Sequence, residues 1–195
     1  TEELIAQDVG ARMPVGPMAQ VITGLALLWS LFQLWIASPL PFIFGVGVFN
    51  DTQTRAIHLA FALLLAFLAY PAFKRSPRDR VPLADIALGL LACATAAYLF
   101  IAYAELAQRP GNLTDLDLWV ACLGLPLLLE ATRRALGPAL TVIAALFLLY
   151  SLLGPYMPGI LAHRGVSLTA LANHQWITTE GVFGIALGVS TSFVF

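Results

Sequence analysis

AIHLAFALLLAFLAYPAFKRSPRDRVPLADIALGLLACATAAYLFIAY, residues 56–103, decides the fold. Two apolar runs, 56–73 and 83–103, flank a segment holding four of the chain's ten cations: Lys74, Arg75, Arg78 and Arg80. A helix needs roughly 20 apolar residues to cross the hydrocarbon core of a bilayer. Each run meets or approaches that length, and a basic cluster between two such runs marks a cytoplasmic loop. Residues 56–103 therefore predict a hairpin of membrane helices with its turn in the cytoplasm.

The pattern continues on both sides. Further apolar runs cover residues 18–38, 118–131 and 138–153, and another begins at 181. Gly16-Pro17 opens the first, and Pro39 and Pro41 close it. Pro82 and Pro138 stand where a helix start tolerates a missing N–H. Gly154-Pro155 ends the fifth run, because proline cannot continue a helix. Trp29, Trp35, Tyr70, Tyr98, Tyr103, Trp119, Tyr150 and Tyr156 lie mostly near run ends, as in an interfacial aromatic belt. The expected fold is an all-α, polytopic helical membrane protein with five full spans, the start of a sixth and a short interfacial helix. The last lies within 156–179, where Ser167 caps a helix with Leu168, Leu171 and Ala172 on one face and Trp176 as its membrane anchor.

With residues 74–80 in the cytoplasm, Arg12 and the pair Arg133 and Arg134 fall on the same side. Arg55, Arg109 and Arg164 fall outside, so seven cations lie inside and three outside. This places the N-terminus in the cytoplasm.

Composition agrees. The 195 residues are 59% hydrophobic and 11% charged, whereas soluble domains carry about 25% charged residues. The net charge of −1 and the absence of a basic stripe argue against nucleic acid. Cys93 and Cys122 sit inside apolar runs and read as inert thiols. His58, His163 and His174 are far apart, so no metal site is expected.

Ionisable groups deep in a membrane are functional candidates by default. Asp85, Glu105, Asp117 and Glu130 all fall at run ends, and His58 falls within a turn of the outer end of its run, at headgroup level. A proton relay within the five helices is not expected. Glu130 shares a helix face with Arg133 and Arg134. It reads as a cytoplasmic anchor with a local ion pair, or as a contact to a headgroup or neighbouring domain. Lys74, Arg75, Arg78 and Arg80 set topology, with anionic lipid as a second role. Gln33 offers a hydrogen bond to another helix.

Residues 178–192, TTEGVFGIALGVSTS, carry three glycines, several hydroxyls and one carboxylate. Glycine-broken helices build midplane sites in secondary transporters, which makes Thr179, Glu180, Gly184, Gly188 and Ser190 candidates for substrate or ion binding. The alternative is close helix packing, since Gly184 and Gly188 have small-xxx-small spacing.

Three strings, LEATRR at 129–134, LFLLYSLLGPYMPGILAHRG at 146–165 and TTEGVFGIALGVS at 178–190, resemble the fused membrane permease of tripartite ATP-independent periplasmic (TRAP) transporters of the TAXI type. RAIHLAFALLLAFLAYP at 55–71 also fits. Ala186 departs from the pattern, which carries proline there. The resemblance implies a secondary active transporter of the bacterial inner membrane. It would work by symport, driven by sodium ions or protons, and import organic acids such as dicarboxylates delivered by a periplasmic substrate-binding protein. Residues 1–16 would be a cytoplasmic segment, 17–134 the four-helix small-subunit part, and 135–195 the joint into the large transport subunit. The remainder of that subunit, with most of the ion and substrate sites, would lie beyond Phe195. This part would be scaffold, without enzymatic activity or cofactor. The rival reading is a non-transporting membrane scaffold or assembly protein. A membrane enzyme would need clustered catalytic side chains, for which His163 and His174 are the remaining pair.

Overall fold

The computed structural model describes residues 10–73 and 75–192. Lys74 and the last three residues of the sixth apolar run lie outside the described residues. All regular structure among the described residues is helical. Helix α1 (Pro17–Ala37) starts at Pro17 after Gly16, whose φ of 73° sets the entry. A short turn, α2 (Leu40–Phe44), lies in the loop that follows. Then come α3 (Asp51–Ala69), α4 (Leu83–Ile101), the short α5 (Tyr103–Gln108), α6 (Asp115–Leu136) and α7 (Pro138–Leu153). Short α8 (Leu168–Ala172) runs into a π-helical turn (Asn173–Ile177), and α9 (Ile185–Ser192) follows.

Two helices begin earlier than the apolar runs suggest, because caps rather than hydropathy set their starts. Asn50 accepts from the Gln53 amide at 2.9 Å, and the Gln53 side chain accepts from the Asn50 amide at 3.2 Å. This reciprocal pair satisfies two orphan donors and starts α3 at Asp51, which brings Arg55 and His58 inside the helix. Thr114 and Asp117 do the same for α6. At its other end, Arg133 and Arg134 pair with Glu130 and carry α6 on to Leu136. The resulting 22 residues span ~33 Å.

Helix α3 is the centre. Ala56, Ala60 and Leu63 share one apolar core with Ala92, Ala96 and Leu99 of α4 and with Ala121 of α6. Small residues let these backbones approach. A Cβ on Gly89 would meet the Phe67 Cβ at 3.2 Å. By contrast, α1 buries only Gln33 and α7 buries nothing. Leu146 and Phe147 of α7 are 60% and 66% exposed. Apolar faces of this extent belong against lipid or another protein surface.

Four helical stretches among the described residues are long and apolar enough to cross a membrane: Pro17–Ala37, Asp51–Ala69, Leu83–Ile101 and Pro138–Tyr156. Helix α6 is too charged at its ends to join them by composition. It nevertheless runs the length of α4, bonded to Tyr98 at one end and to Asp85 at the other.

Trp176 corrects the sequence reading. Ser167 does cap α8, accepting from Ala170 at 3.1 Å. Trp176, expected as an interfacial anchor, is instead fully buried. Its Nε1 donates to the Thr95 carbonyl of α4 at 3.2 Å. Its ring lies over Gly124 of α6 and meets Phe183 edge to face at 5.4 Å. The segment carrying it is a wedge in the bundle.

Candidate functional site: a charged lock and a histidine junction

Three polar assemblies organise the helices. The first ties the ends of α3, α4 and α6 to the segment before α1. Asp85, in the first turn of α4, binds both Arg12 and Arg134, the latter at 2.8 Å. Arg134 also reaches Glu130 at 2.7 Å, as does Arg133. The Arg12 side chain is fully buried, and those of Arg134 and Asp85 are 3% and 7% exposed. Arg12 also closes α3. The last four carbonyls of a helix lack intrahelical partners. Here Arg12 Nη1 donates to Phe67 and Leu68 at 3.1 and 3.2 Å, its backbone N–H donates to Ala69 at 2.7 Å, and the Tyr70 N–H donates to Ala66 at 3.0 Å. Arg133 reaches the Ala72 carbonyl at 2.8 Å. A local ion pair at Glu130 is therefore one part of a larger network of three guanidiniums and two carboxylates.

The second assembly sits at the opposite end of α4 and α6. Asp117, fully buried, accepts from Arg109, from the Tyr98 hydroxyl at 2.6 Å, and from the Thr114 N–H and hydroxyl at 2.7 and 2.8 Å. The bond to Asp117 pushes the Arg109 guanidinium above its ordinary pKa.

The third joins α1, α3 and α9. His58 is the eighth residue of α3, about 10 Å along the helix from its start. It is 4% exposed, so its ring is held inside the bundle. Trp29 Nε1 donates to His58 Nδ1 at 3.3 Å, and the Gln33 amide contacts the same nitrogen. Ser190 Oγ lies 3.2 Å from His58 Nε2. An indole N–H can only donate, so Nδ1 is the acceptor and the ring proton sits on Nε2, facing Ser190. One turn earlier, Arg55 donates to the Phe183 and Gly184 carbonyls at 2.9 and 3.4 Å.

The residues singled out in 178–192 thus divide. Thr179 lines a cleft of about 220 Å³ with Thr52, Tyr103, Arg109 and Asn173. Glu180 is exposed, 3.2 Å from His174, whose side chain is exposed as well. Gly184, Gly188 and Ser190 lie against Arg55 and His58 of α3. Gly184 serves its own turn, and Gly188 serves the close approach of α3 to α9. A Cβ at Gly184 would strike the carbonyls of its own turn at 2.8–3.2 Å, and one at Gly188 would fall 2.6 Å from the Arg55 guanidinium. Gly188 is the socket that lets Arg55 reach the turn before α9. Gly188→Ala should push Arg55 off these carbonyls. A charge-assisted hydrogen bond is worth enough that amide exchange over 182–190 should speed up about tenfold, with little change in global stability. Unchanged exchange would mean that Arg55 does not hold the segment.

His163 is structural. Its Nδ1 accepts from the Gly165 amide and its Nε2 donates to the Tyr150 carbonyl, each at 3.0 Å. Both cysteines are free thiols. Among the described residues no group of His, Cys, Asp or Glu could hold a metal ion.

Sequence reasoning found Gln33 as an interhelical donor and Glu130 with its arginines. It missed the Arg12–Asp85–Arg134 bridge, the burial of His58 and the grip of Arg55. The one available signal was Asp85, a carboxylate inside an apolar helix. A first-turn acid is already accounted for by the helix dipole, so it pointed to no partner. The chain matches no protein-family model, no curated protein and no solved structure.

Proposed function

We propose that the chain is the membrane-embedded scaffold portion of an ion-gradient-driven, binding-protein-dependent importer of organic acids. The observation that carries this is the attachment of residues 183–190 to α3 through Arg55 and His58. In the TRAP-type reading these residues begin the large transport subunit, and α1, α3, α4 and α6 are the small-subunit part. The contact is then the place where scaffold holds transporter. The internally paired ionic networks favour a support, since breaking any one of these buried pairs would leave an uncompensated charge. In this reading α6 is the fourth of five spans, α9 belongs to the sixth, and the chain lies in a bacterial inner membrane. The clustering of Arg12, Arg133 and Arg134 at the end that carries the 70–82 loop supports a cytoplasmic N-terminus. In the same reading the cleft lined by Thr179 opens to the periplasmic side, where a substrate-binding protein would approach.

Two measurements test this. Single cysteines at Ser76 and Gly111 should label from opposite faces of the membrane, Ser76 from the cytoplasm. Both labelling from one face would sink the topology. In proteoliposomes, residues 1–195 alone should not accumulate organic acid under a sodium or proton gradient. Uptake should appear when the chain is joined to the downstream transport subunit and supplied with its binding protein. Uptake by 1–195 alone would overturn the scaffold role. A coding frame without such a subunit or a neighbouring binding protein would leave the rival reading, a non-transporting membrane scaffold.

A further inference from the structure

We propose that His58 is a proton-binding site whose occupancy is read by Gln33 on α1 and Ser190 on α9. The central observation is an orphan. Gln33 is 2% exposed, its amide nitrogen faces His58 Nδ1, and its Oε1 is buried with no hydrogen-bond partner. A buried amide oxygen left unpaired is costly, yet here it lies on the same side chain that contacts an imidazole. Rotating the Gln33 amide by half a turn exchanges its nitrogen for its oxygen. The neutral ring accepts at Nδ1 from the amide as it stands. The protonated ring donates from Nδ1 to the rotated Oε1, which gives that oxygen a partner and turns the amide N–H groups toward the position it held. The added proton goes to Nδ1, while Nε2–H stays on Ser190.

The surroundings fit two states. In the protonated ring both nitrogens donate, so the Trp29 N–H loses its acceptor. The Trp29 N–H edge points at Nδ1, so it favours the neutral ring and opposes the added proton. The bond to Ser190 becomes charge-assisted and roughly twice as strong, which draws α9 against α3. On α1 the facing groups are Gln33 and Trp29, neither of which titrates. On α9 the facing group is Ser190, and 185–192 holds no acid or base. On α3 itself Arg55, one turn away, is bound to the Phe183 and Gly184 carbonyls and lies 3.6 Å from Asp51. Helices α4 and α6, which share the core with α3, keep their carboxylates at their ends, where Asp85 and Asp117 pair with Arg134 and Arg109.

The site needs only this junction, not the transporter reading, so failure of one leaves the other standing. Histidine-selective NMR of the purified chain in lipid nanodiscs tests it, with the His58 signal assigned by its loss in His58→Gln. The neutral ring should be the Nε2–H form and should titrate in one step. Gln33→Leu removes the acceptor for the new proton and should lower the midpoint by about one pH unit. Trp29→Phe removes the competing donor and should raise it. Gln33→Met serves in the same role if the leucine variant does not fold. Below the midpoint, amide exchange over 185–192 should slow, and Ser190→Ala should abolish that slowing. An Nδ1–H neutral ring, absence of any titration in the folded protein, or midpoints indifferent to Gln33 and Trp29 would each overturn the proposal.

Discussion

Asp85→Ala should cost about 3–5 kcal/mol, the amount typical of breaking a buried ion pair by removing one partner. It is the largest single effect expected among the charged residues. The reason is not the loss of attraction but what remains. Arg12 and Arg134, with side chains 0% and 3% exposed, would face each other without the carboxylate between them. Arg134 keeps Glu130, but Arg12 keeps only the carbonyls at the end of α3. Thermal unfolding in detergent, compared with the wild-type chain, measures the loss. The same substitution combined with Arg12→Met should recover more than half of it, because the uncompensated charge goes too. If Asp85→Ala costs under about 1 kcal/mol, as an exposed pair would, the lock is a surface feature and the buried network is wrong. Arg133→Ala serves as the internal contrast. Arg133 is 31% exposed and its removal leaves Glu130 with Arg134, so a loss near 1 kcal/mol or less is expected.

Trp176→Ala should be as damaging, about 3–5 kcal/mol for truncating a buried aromatic. Trp176 is 0% exposed, bonded to Thr95, and packed on Gly124 and Phe183. An interfacial anchor on a surface helix would cost far less, so this measurement separates the two placements of the segment. Gly124 supplies the second half of the test. A Cβ at 124 would enter the indole, with its Cη2 at 2.8 Å, so Gly124→Ala should destabilise by overpacking, typically about 1–3 kcal/mol. In the Trp176→Ala background the same methyl has room and should be neutral or stabilising. A double-mutant cycle with no coupling would mean that the two residues do not touch.

Much of the fold was legible because it is locally encoded. The apolar runs gave the helices, Gly16-Pro17 and Gly154-Pro155 gave two of their limits, and Ser167 gave the cap of α8. The helix starts at Asp51 and Asp115 were less visible. Polar capping pairs, Asn50 with Gln53 and Thr114 with Asp117, extend those helices beyond the run that hydropathy picks out. That extension puts His58 eight residues into α3, where packing against α1 and α9 buries it. Gly184 and Gly188 were legible as important by type but not by role, because a glycine demanded by a tight turn and one demanded by an incoming guanidinium look alike in a sequence.

What the sequence by itself determined is the long apolar helices and the division of cations between alternating ends of the apolar runs. These follow from the length of apolar runs and from residue chemistry within a few positions. What only the tertiary structure decided is which polar groups meet. Arg12 and Asp85 are 73 positions apart, His58 and Ser190 are 132 apart, and Trp176 bonds across 81 positions to Thr95. An apolar pattern cannot announce such pairings when lipid is as apolar as leucine, because a face turned to the core and a face turned to the bilayer then carry the same residues. Packing alone sorts them, placing α3 at the centre, α1 and α7 at the rim, and the few buried charges where their partners are.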